Sequence, residues 1–444
     1  MKRNGAMAKM LIRGGMMAGI AGAGYLLGRH PVDFPVYYRS AENLLHGTGP
    51  LYGPKSGLGW PMYYRYPPVF LFIFLPMILL PLRWAASLWA VGKIAALLGL
   101  LRWLRQHAGL EQLPLYEGWE KIAAWLGRNW RAWMLTLLLA GTYLLVEFRY
   151  GNVEFFIFFL TALALLTADK RPWAAGAAMG SAIAIKVWPL FFIPYWLVQK
   201  KNRAAAAGLL AALLFTLLPA GYFGWQGNEH ALWQWAGQEW QTAAKGGTLW
   251  YPSQSLRGVM DRYLAVRKPR PVQDAAAHKG YAELGCGCVS DQAMHALWIG
   301  LEGLGYGALL WGAWKMRDSN RELSEESRLC MDGIAICGLA LLSPFIHIED
   351  LCVLLWPAIA AGVWLQRRSR QAGDCVRSAR ICLWSAAITA GVIPLIPGSA
   401  AQRWLQAAGA DCGVVMLLAL GLTLAVVQGS AAARQKPATA AMPR

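Results

Sequence analysis

Cysteine is sparse and unpatterned in this chain. Of eight cysteines, Cys330, Cys337, Cys352, Cys375, Cys382 and Cys412 fall in or beside apolar runs, where a free thiol behaves as a small hydrophobic side chain. Only Cys286-Gly-Cys288 shows a recognisable spacing. Two thiols one residue apart rarely close comfortably on each other, and no further ligands stand nearby to complete a metal site. Neither a structural metal nor a resident cofactor is therefore expected. An internal repeat is also missing, so the chain lacks the usual sequence mark of an alternating-access transporter. Low-complexity sequence is confined to the Ala-rich, basic stretch 429–444, which reads as a disordered cytoplasmic tail. The remaining 1–428 reads as one membrane-embedded domain. Finally, the formal charge of +18 has no basic stripe with interleaved aromatics behind it. Scattered basic residues in short loops exclude a nucleic-acid partner and fit membrane topology and anionic headgroups instead.

Apolar sequence is what the chain has in abundance: 57% of residues are hydrophobic, the mean hydropathy is +0.35, and apolar runs recur throughout. This is the composition of an all-α, multi-pass membrane protein. The runs predict helices at 12–28, 67–80, 85–101, 132–146, 153–168, 173–197, 204–222, 293–314, 331–346, 350–365, 381–396 and 411–428, several of them shorter than the ~20 residues that a bilayer asks for. Twelve crossings put both termini on one side. Lys and Arg are roughly twofold denser in the loops on that side, so the positive-inside rule makes it cytoplasmic and leaves 29–66 and 223–292 as large extracytoplasmic loops. Segment 102–131 runs against the rule, with Arg102, Arg105, Lys121, Arg128 and Arg131 on the outer side. Lys2 and Arg3 ahead of an apolar run imitate a secretory leader, but Arg13 interrupts the run and many crossings follow, so an uncleaved first helix in the cytoplasmic membrane is expected.

One carboxylate is singled out by its position. Asp33 directly follows the first apolar run and Arg65-Tyr66-Pro67-Pro68 precedes the second, so both lie at one membrane face. A base at that rim takes a proton from a hydroxyl while a lipid-borne reactant stays in the bilayer. Asp33 also has an ordinary reading. Val36, Tyr37, Ala41, Leu44 and Leu45 share a helical face, which predicts a short amphipathic helix over 34–46, lying on the membrane and ended by Gly47, Gly49 and Pro50. Asp ahead of Pro35 is a common helix start, so the carboxylate is expected to cap that helix. Capping weakens a carboxylate as a base, and a catalytic Asp33 requires at least one oxygen open to substrate.

The stretch Asp33-Phe-Pro-Val-Tyr-Tyr-Arg-Ser-Ala-Glu-Asn-Leu-Leu is followed by Gly49-Pro50-Leu51-Tyr52 and Tyr64-Arg65-Tyr66-Pro67-Pro68. Further fragments are Leu88-Trp89, Gly151-Asn152-Val153-Glu154, Ile185-Lys186-Val187-Trp188-Pro189-Leu190, Gln254-Ser255-Leu256-Arg257-Gly258 and Leu342-Ser343-Pro344. In this order, over about residues 30–360, the set resembles glycosyltransferase family 87. The resemblance implies a GT-C fold and a polyprenyl-phosphate sugar donor, typically carrying mannose. It further implies transfer on the extracytoplasmic face to a lipid-linked or cell-envelope glycan, and Asp33 at the position of the family's catalytic carboxylate. Two places depart from the family pattern. Phe345-Ile346-His347-Ile348-Glu349-Asp350 carries one shifted His and two acids where many relatives have an aromatic residue and a His-His pair, and Gly-Asn-Val-Glu stands for Gly-Gln-x-Asn.

The chemistry follows from elementary considerations. Displacing a lipid phosphate from an anomeric carbon needs a base for the incoming hydroxyl and cations for the phosphate charge that develops. The phosphodiester leaves as an anion, so no general acid is obligatory, one carboxylate suffices, and direct attack inverts the centre. Asp33 is the expected base, with Glu42 as the reserve. His347, beside the Ser-Pro turn, Arg257, with a guanidinium fork, and Lys186 are the expected phosphate ligands. Lys186 lies within an apolar run, where an unpaired ammonium costs roughly 2.5–3.5 kcal/mol, so an ion pair with Glu147 or Glu154 is its structural alternative. An interfacial His and a solvated loop Arg are the corresponding alternatives for His347 and Arg257. Arg39 and Arg65 flank the Asp33 loop and can orient acceptor or base, although Glu42 stands three residues beyond Arg39. Gln254, Tyr37 and Tyr66 complete the candidate site. The rings of Tyr37, Tyr38, Tyr63, Tyr64, Tyr66, Trp60 and Trp250 either stack on sugar or form an interfacial belt. A transporter or flippase of lipid-linked saccharides, or a glycan ligase or polymerase, is the competing function.

Overall fold

The computed structural model describes residues 2–59, 62–107, 119–245, 253–266, 284–285, 287–318, 324–368, 373–396 and 399–434. Among the described residues every extended regular element is a helix. The chain divides into two compact units, one of Met1–Ile122, Tyr143–Thr248 and Pro344–Cys352, the other of Ala123–Thr142, Leu249–Ser343 and Val353–Arg444. The first unit contains α1 (Lys2–Leu27), α2 (Phe34–His46), α3 (Pro68–Phe74), α4 (Leu82–His107), both ends of α5 (Trp119–Tyr150), α6 (Glu154–Thr167), α7 (Pro172–Ile185), α8 (Phe192–Val198), α9 (Asn202–Leu217) and α10 (Ala220–Lys245). The second contains the middle of α5, then α11 (Leu256–Leu264), α12 (Asp291–Asp318), α13 (Glu325–Leu342), α14 (Leu355–Arg367), α15 (Asp374–Val392), α16 (Ser399–Ala407) and α17 (Ala410–Arg434).

Each of the twelve apolar runs coincides with helix, but twelve full crossings do not follow. Among the described residues five helices are long and apolar enough to cross a membrane: Leu82–Leu104, Gly127–Tyr150, Glu349–Arg367, Asp374–Leu395 and Ala410–Gln428. A sixth is possible only if α9 and α10, bent by 94° at their junction, count as one broken span. The single helix expected over 173–197 is interrupted. Lys186 is extended (φ −150°, ψ 134°), Trp188–Phe191 forms a 3-10 turn around Pro189, and α8 starts afresh; a proline there removes a donor and crowds the preceding turn. The outer loop expected over 223–292 begins as helix, because α10 continues to Lys245, and 102–131 is mostly the ends of α4 and α5. The last helix runs to Arg434, past the point where the tail is expected to start.

Small residues let the first unit pack tightly. A Cβ on Gly176 would stand 2.3 Å from the Cβ of Ala207, and one on Gly180 2.5 Å from that of Ala211, so α7 and α9 meet backbone to backbone. In the second unit α14 is the enclosed element, with every residue from Leu355 to Leu365 buried.

The expected helix over 34–46 is α2, with Pro35 in its first turn and Gly47 at its C-cap (φ 63°), whose N–H donates to Asn43 O. Its apolar face does not rest on lipid, however. Phe34, Val36, Tyr37 and Ala41 are buried with Phe70, Leu71 and Phe74 of α3, while Leu45 is 53% exposed. Aromatic packing against α3 wins because Tyr37 meets Phe70 and Phe74 edge-on at 5.2 and 5.9 Å.

Candidate active site

Asp33 stands at the N-terminus of α2 and does not cap it. Its side chain makes no capping bond. The physical reason is backbone conformation: Asp33 is already helical (φ −90°, ψ −32°), whereas a capping side chain reaches back from an extended residue. The N–H groups of Val32 and Asp33 donate to Tyr150 O at 3.0 and 2.8 Å, tying the start of α2 to the end of α5. The carboxylate is thereby aimed at the turn that follows α5. Oδ2 accepts a hydrogen bond from Asn152 Nδ2 at 2.9 Å, and among the described residues Oδ1 takes none.

That turn is built by Gly151, whose φ of 72° suits glycine and whose Cβ, if present, would lie 2.8 Å from the Cβ of Phe34. Asn152 follows at 7% exposure. Its Oδ1 accepts from Glu154 N at 3.0 Å and from Tyr66 Oη at 3.3 Å, and Tyr66 Oη in turn lies 3.1 Å from Tyr37 Oη. Tyr37 and Tyr66 thus stand together with Asp33, as members of a hydrogen-bonded chain. Neither the belt nor the sugar-platform reading holds for Tyr37 and Tyr64, which are buried. Trp60 and Trp250 lie outside the described residues.

A second strand of the site is Pro344–Cys352. Proline ends α13, and after Phe345 and Ile346 the chain turns into the 3-10 segment Glu349–Leu354, with Asp350 Oδ2 accepting from His347 N at 2.8 Å. His347 Nδ1 lies 3.1 Å from Glu349 Oε1, and the His347 ring packs edge-on against Phe345 at 4.3 Å. Lys186 sits between two acids: its Nζ donates to Glu154 Oε2 at 2.7 Å and to Asp350 Oδ1 at 2.9 Å. The ion-pair alternative for Lys186 is therefore realised, with Glu154 and Asp350 as partners, while Glu147 is taken by Lys93 at 2.8 Å with both side chains fully buried.

Asp33 is held where ionisation is hard. Burial raises its proton affinity most, the charge of Glu349 adds to this, and the Asn152 hydrogen bond and His347 oppose it, leaving a pKa of about 7 against an ordinary 3.8. Arg65 is not turned toward Asp33. Its guanidinium forks onto Glu239 of α10 at 2.8 and 3.1 Å and covers the Phe345 ring at 5.0 Å. Arg39 pairs with Glu42 at 3.5 Å at the surface, which also occupies the reserve carboxylate. Arg257 and Gln254 belong to the second unit, where Arg257 Nε lies 3.7 Å from Asp261 and Gln254 Nε2 donates to Gln406 O at 3.0 Å. Cys288 is disulfide-bonded, and Cys286 lies outside the described residues.

Sequence reasoning named neither Asn152, Glu349 nor Asp350 as a site residue. The available signals were the Gly151-Asn152-Val153-Glu154 fragment and the acids Glu349 and Asp350 of the family comparison, but a Gly-Asn pair between two apolar runs marks a turn without saying which carboxylate the amide meets.

The sequence profile of glycosyltransferase family 87 matches residues 64–344, a stretch that includes Tyr66, Asn152 and Lys186 and begins after Asp33. The chain is 31% identical over 215 residues to the polyprenol-phosphate-mannose-dependent alpha-(1-2)-phosphatidylinositol pentamannoside mannosyltransferase of Mycolicibacterium smegmatis, covering 47% of each. It is 28% identical over 217 residues to the polyprenol-phosphate-mannose-dependent alpha-(1-2)-phosphatidylinositol mannoside mannosyltransferase of Mycobacterium tuberculosis, covering 46% of this chain and 49% of that one. The matched part thus spans about half the length of these relatives. Among solved structures, ArnT from Cupriavidus metallidurans bound to undecaprenyl phosphate is similar at a TM-score of 0.43 and 14% identity, over 95% of this chain and 78% of that one.

Proposed function

Because the chain belongs to glycosyltransferase family 87, we propose that it transfers mannose from a polyprenyl phosphate to a hydroxyl of a lipid-linked or cell-envelope glycan, with Asp33 as general base. The observation that carries this reading is the Asp33 carboxyl itself: one oxygen is held by Asn152, the other is open, and the proton affinity lies near neutrality. A base with those properties is half ionised at working pH and strong enough to receive a hydroxyl proton. In the proposed step the acceptor oxygen bonds to the anomeric carbon, its proton passes to Asp33, and the polyprenyl phosphate departs as an anion with inversion of the centre.

Cations must meet that departing charge. His347 is the leading candidate in the Asp33 unit. Lys186 has three donors, of which Glu154 and Asp350 take two, so one remains for a phosphate oxygen. The reaction is proposed to be metal-independent and to run on the extracytoplasmic face of the cytoplasmic membrane, the side that the family resemblance implies.

The relatives' names supply the first substrates to test. Purified protein in lipid nanodiscs, given polyprenyl-phosphate mannose and a phosphatidylinositol mannoside, is expected to release polyprenyl phosphate and extend the acceptor by one mannose, with or without a chelator. In vesicles, movement of the intact donor lipid between leaflets with no bond cleaved supports a flippase and overturns the transferase reading.

A further inference from the structure

The turn between α5 and α6 is braced from every side. Gly151 N donates to Glu147 O at 3.1 Å, and Trp89 Nε1 donates to Asn152 O at 3.3 Å. The Glu147 carboxylate accepts from Phe155 N at 3.0 Å and from Lys93 Nζ at 2.9 and 2.8 Å. At the centre of this bracing the Asn152 amide has one defined orientation. Its oxygen already accepts from the Glu154 N–H and the Tyr66 hydroxyl, so the terminus facing Asp33 is the NH2 group and can only donate.

We propose that Asn152 is the positioning residue of the base, gripping Asp33 Oδ2 so that Oδ1 alone is presented to the acceptor hydroxyl. The inference deepens the transferase reading and rests on it. The choice of a neutral donor is chemically significant. An Arg or Lys against Oδ2 would hold Asp33 ionised well below neutrality and leave it a poor proton acceptor, whereas no donor at all would let burial and the nearby Glu349 charge keep it protonated. An amide lies between these extremes. It fixes the rotamer and lowers the proton affinity modestly, leaving a base matched to neutral pH.

Two variants test this. Asn152→Ala removes the grip, and Asn152→Asp keeps the acceptor for the Glu154 N–H and the Tyr66 hydroxyl while placing an acid against Oδ2, so it reports even if the alanine variant fails to fold. The readouts are the pH profile of kcat/KM for mannosyl transfer and an infrared titration of the Asp33 carboxyl band, assigned by its loss in Asp33→Asn. Both midpoints are expected to move up by about one pH unit in Asn152→Ala and further in Asn152→Asp. At pH 7 that shift alone lowers kcat/KM roughly fivefold, with part of the loss regained at higher pH. Midpoints that stay at the wild-type value in both variants, whatever happens to the rate, make Asn152 a structural turn residue and overturn the proposal. Absence of transfer by the wild-type protein is a different outcome: it sinks the transferase reading, and the infrared midpoint still reports whether Asn152 tunes Asp33.

Discussion

With Asp33 as the proposed base, transfer by this protein should switch on as the pH rises through neutrality, and the Asp33 carboxyl should set the midpoint. With a pKa of about 7, the base is about one-tenth ionised at pH 6 and about nine-tenths ionised at pH 8, so kcat/KM should rise roughly tenfold across that interval and then level off. An aspartate at its ordinary value of 3.8 would be fully ionised throughout and give a flat profile. Burial is the largest cause of the shift and Glu349 the next, so Glu349→Gln should move the midpoint to lower pH. Asp33→Asn should abolish transfer at every pH, by at least ~100-fold. The same shift has a consequence for stability. Between about pH 4 and pH 7 the folded state binds a proton at Asp33 that the unfolded chain has released, so stability falls as pH rises through that window. Above pH 7 the ionised carboxyl burdens the fold, by up to roughly 4 kcal/mol for a shift of that size, and Asp33→Asn relieves it. The assay is release of polyprenyl phosphate in nanodiscs between pH 6 and pH 8, with thermal unfolding of both proteins at pH 8. A flat profile with a dead Asn variant would refute the burial argument. An active Asn variant would refute the base itself.

Other perturbations probe the frame around that carboxyl. Lys93→Met leaves the fully buried Glu147 unpaired and should lower stability by about 3–5 kcal/mol; adding Glu147→Gln should recover much of the loss in a thermal-unfolding series, because Gln still accepts the Phe155 N–H. Gly151→Ala forces a side chain into a left-handed position against Phe34 and should cost about 1–3 kcal/mol, with transfer falling as the Asp33–Asn152 register shifts. His347→Ala should lower the transfer rate by roughly 10- to 1000-fold if the imidazole meets the departing phosphate; wild-type turnover in that variant would leave His347 with its Glu349 and Phe345 contacts alone.

The helices were readable in the linear chain because their causes are local. An apolar run long enough to fill helical turns, a proline in the first turn and a glycine after the last act over a few residues, which is why α2 begins and ends beside Asp33 and Gly47 as expected. Local signals also carried the family resemblance. They failed where a distant partner competed. The Asp33 carboxylate, on a helical residue that cannot cap, turned to Asn152, 119 positions away, and the apolar face of α2 turned from lipid to α3. Lys186 found Asp350 across 164 positions, and Arg65 found Glu239 across 174. By itself, then, the sequence determined a helical membrane chain, its family, and a carboxylate singled out at the start of α2. Tertiary structure alone decided what each charged group pairs with, and hence which oxygen of Asp33 stays open and how tightly it holds a proton, because those depend on burial and on neighbours that local pattern does not encode.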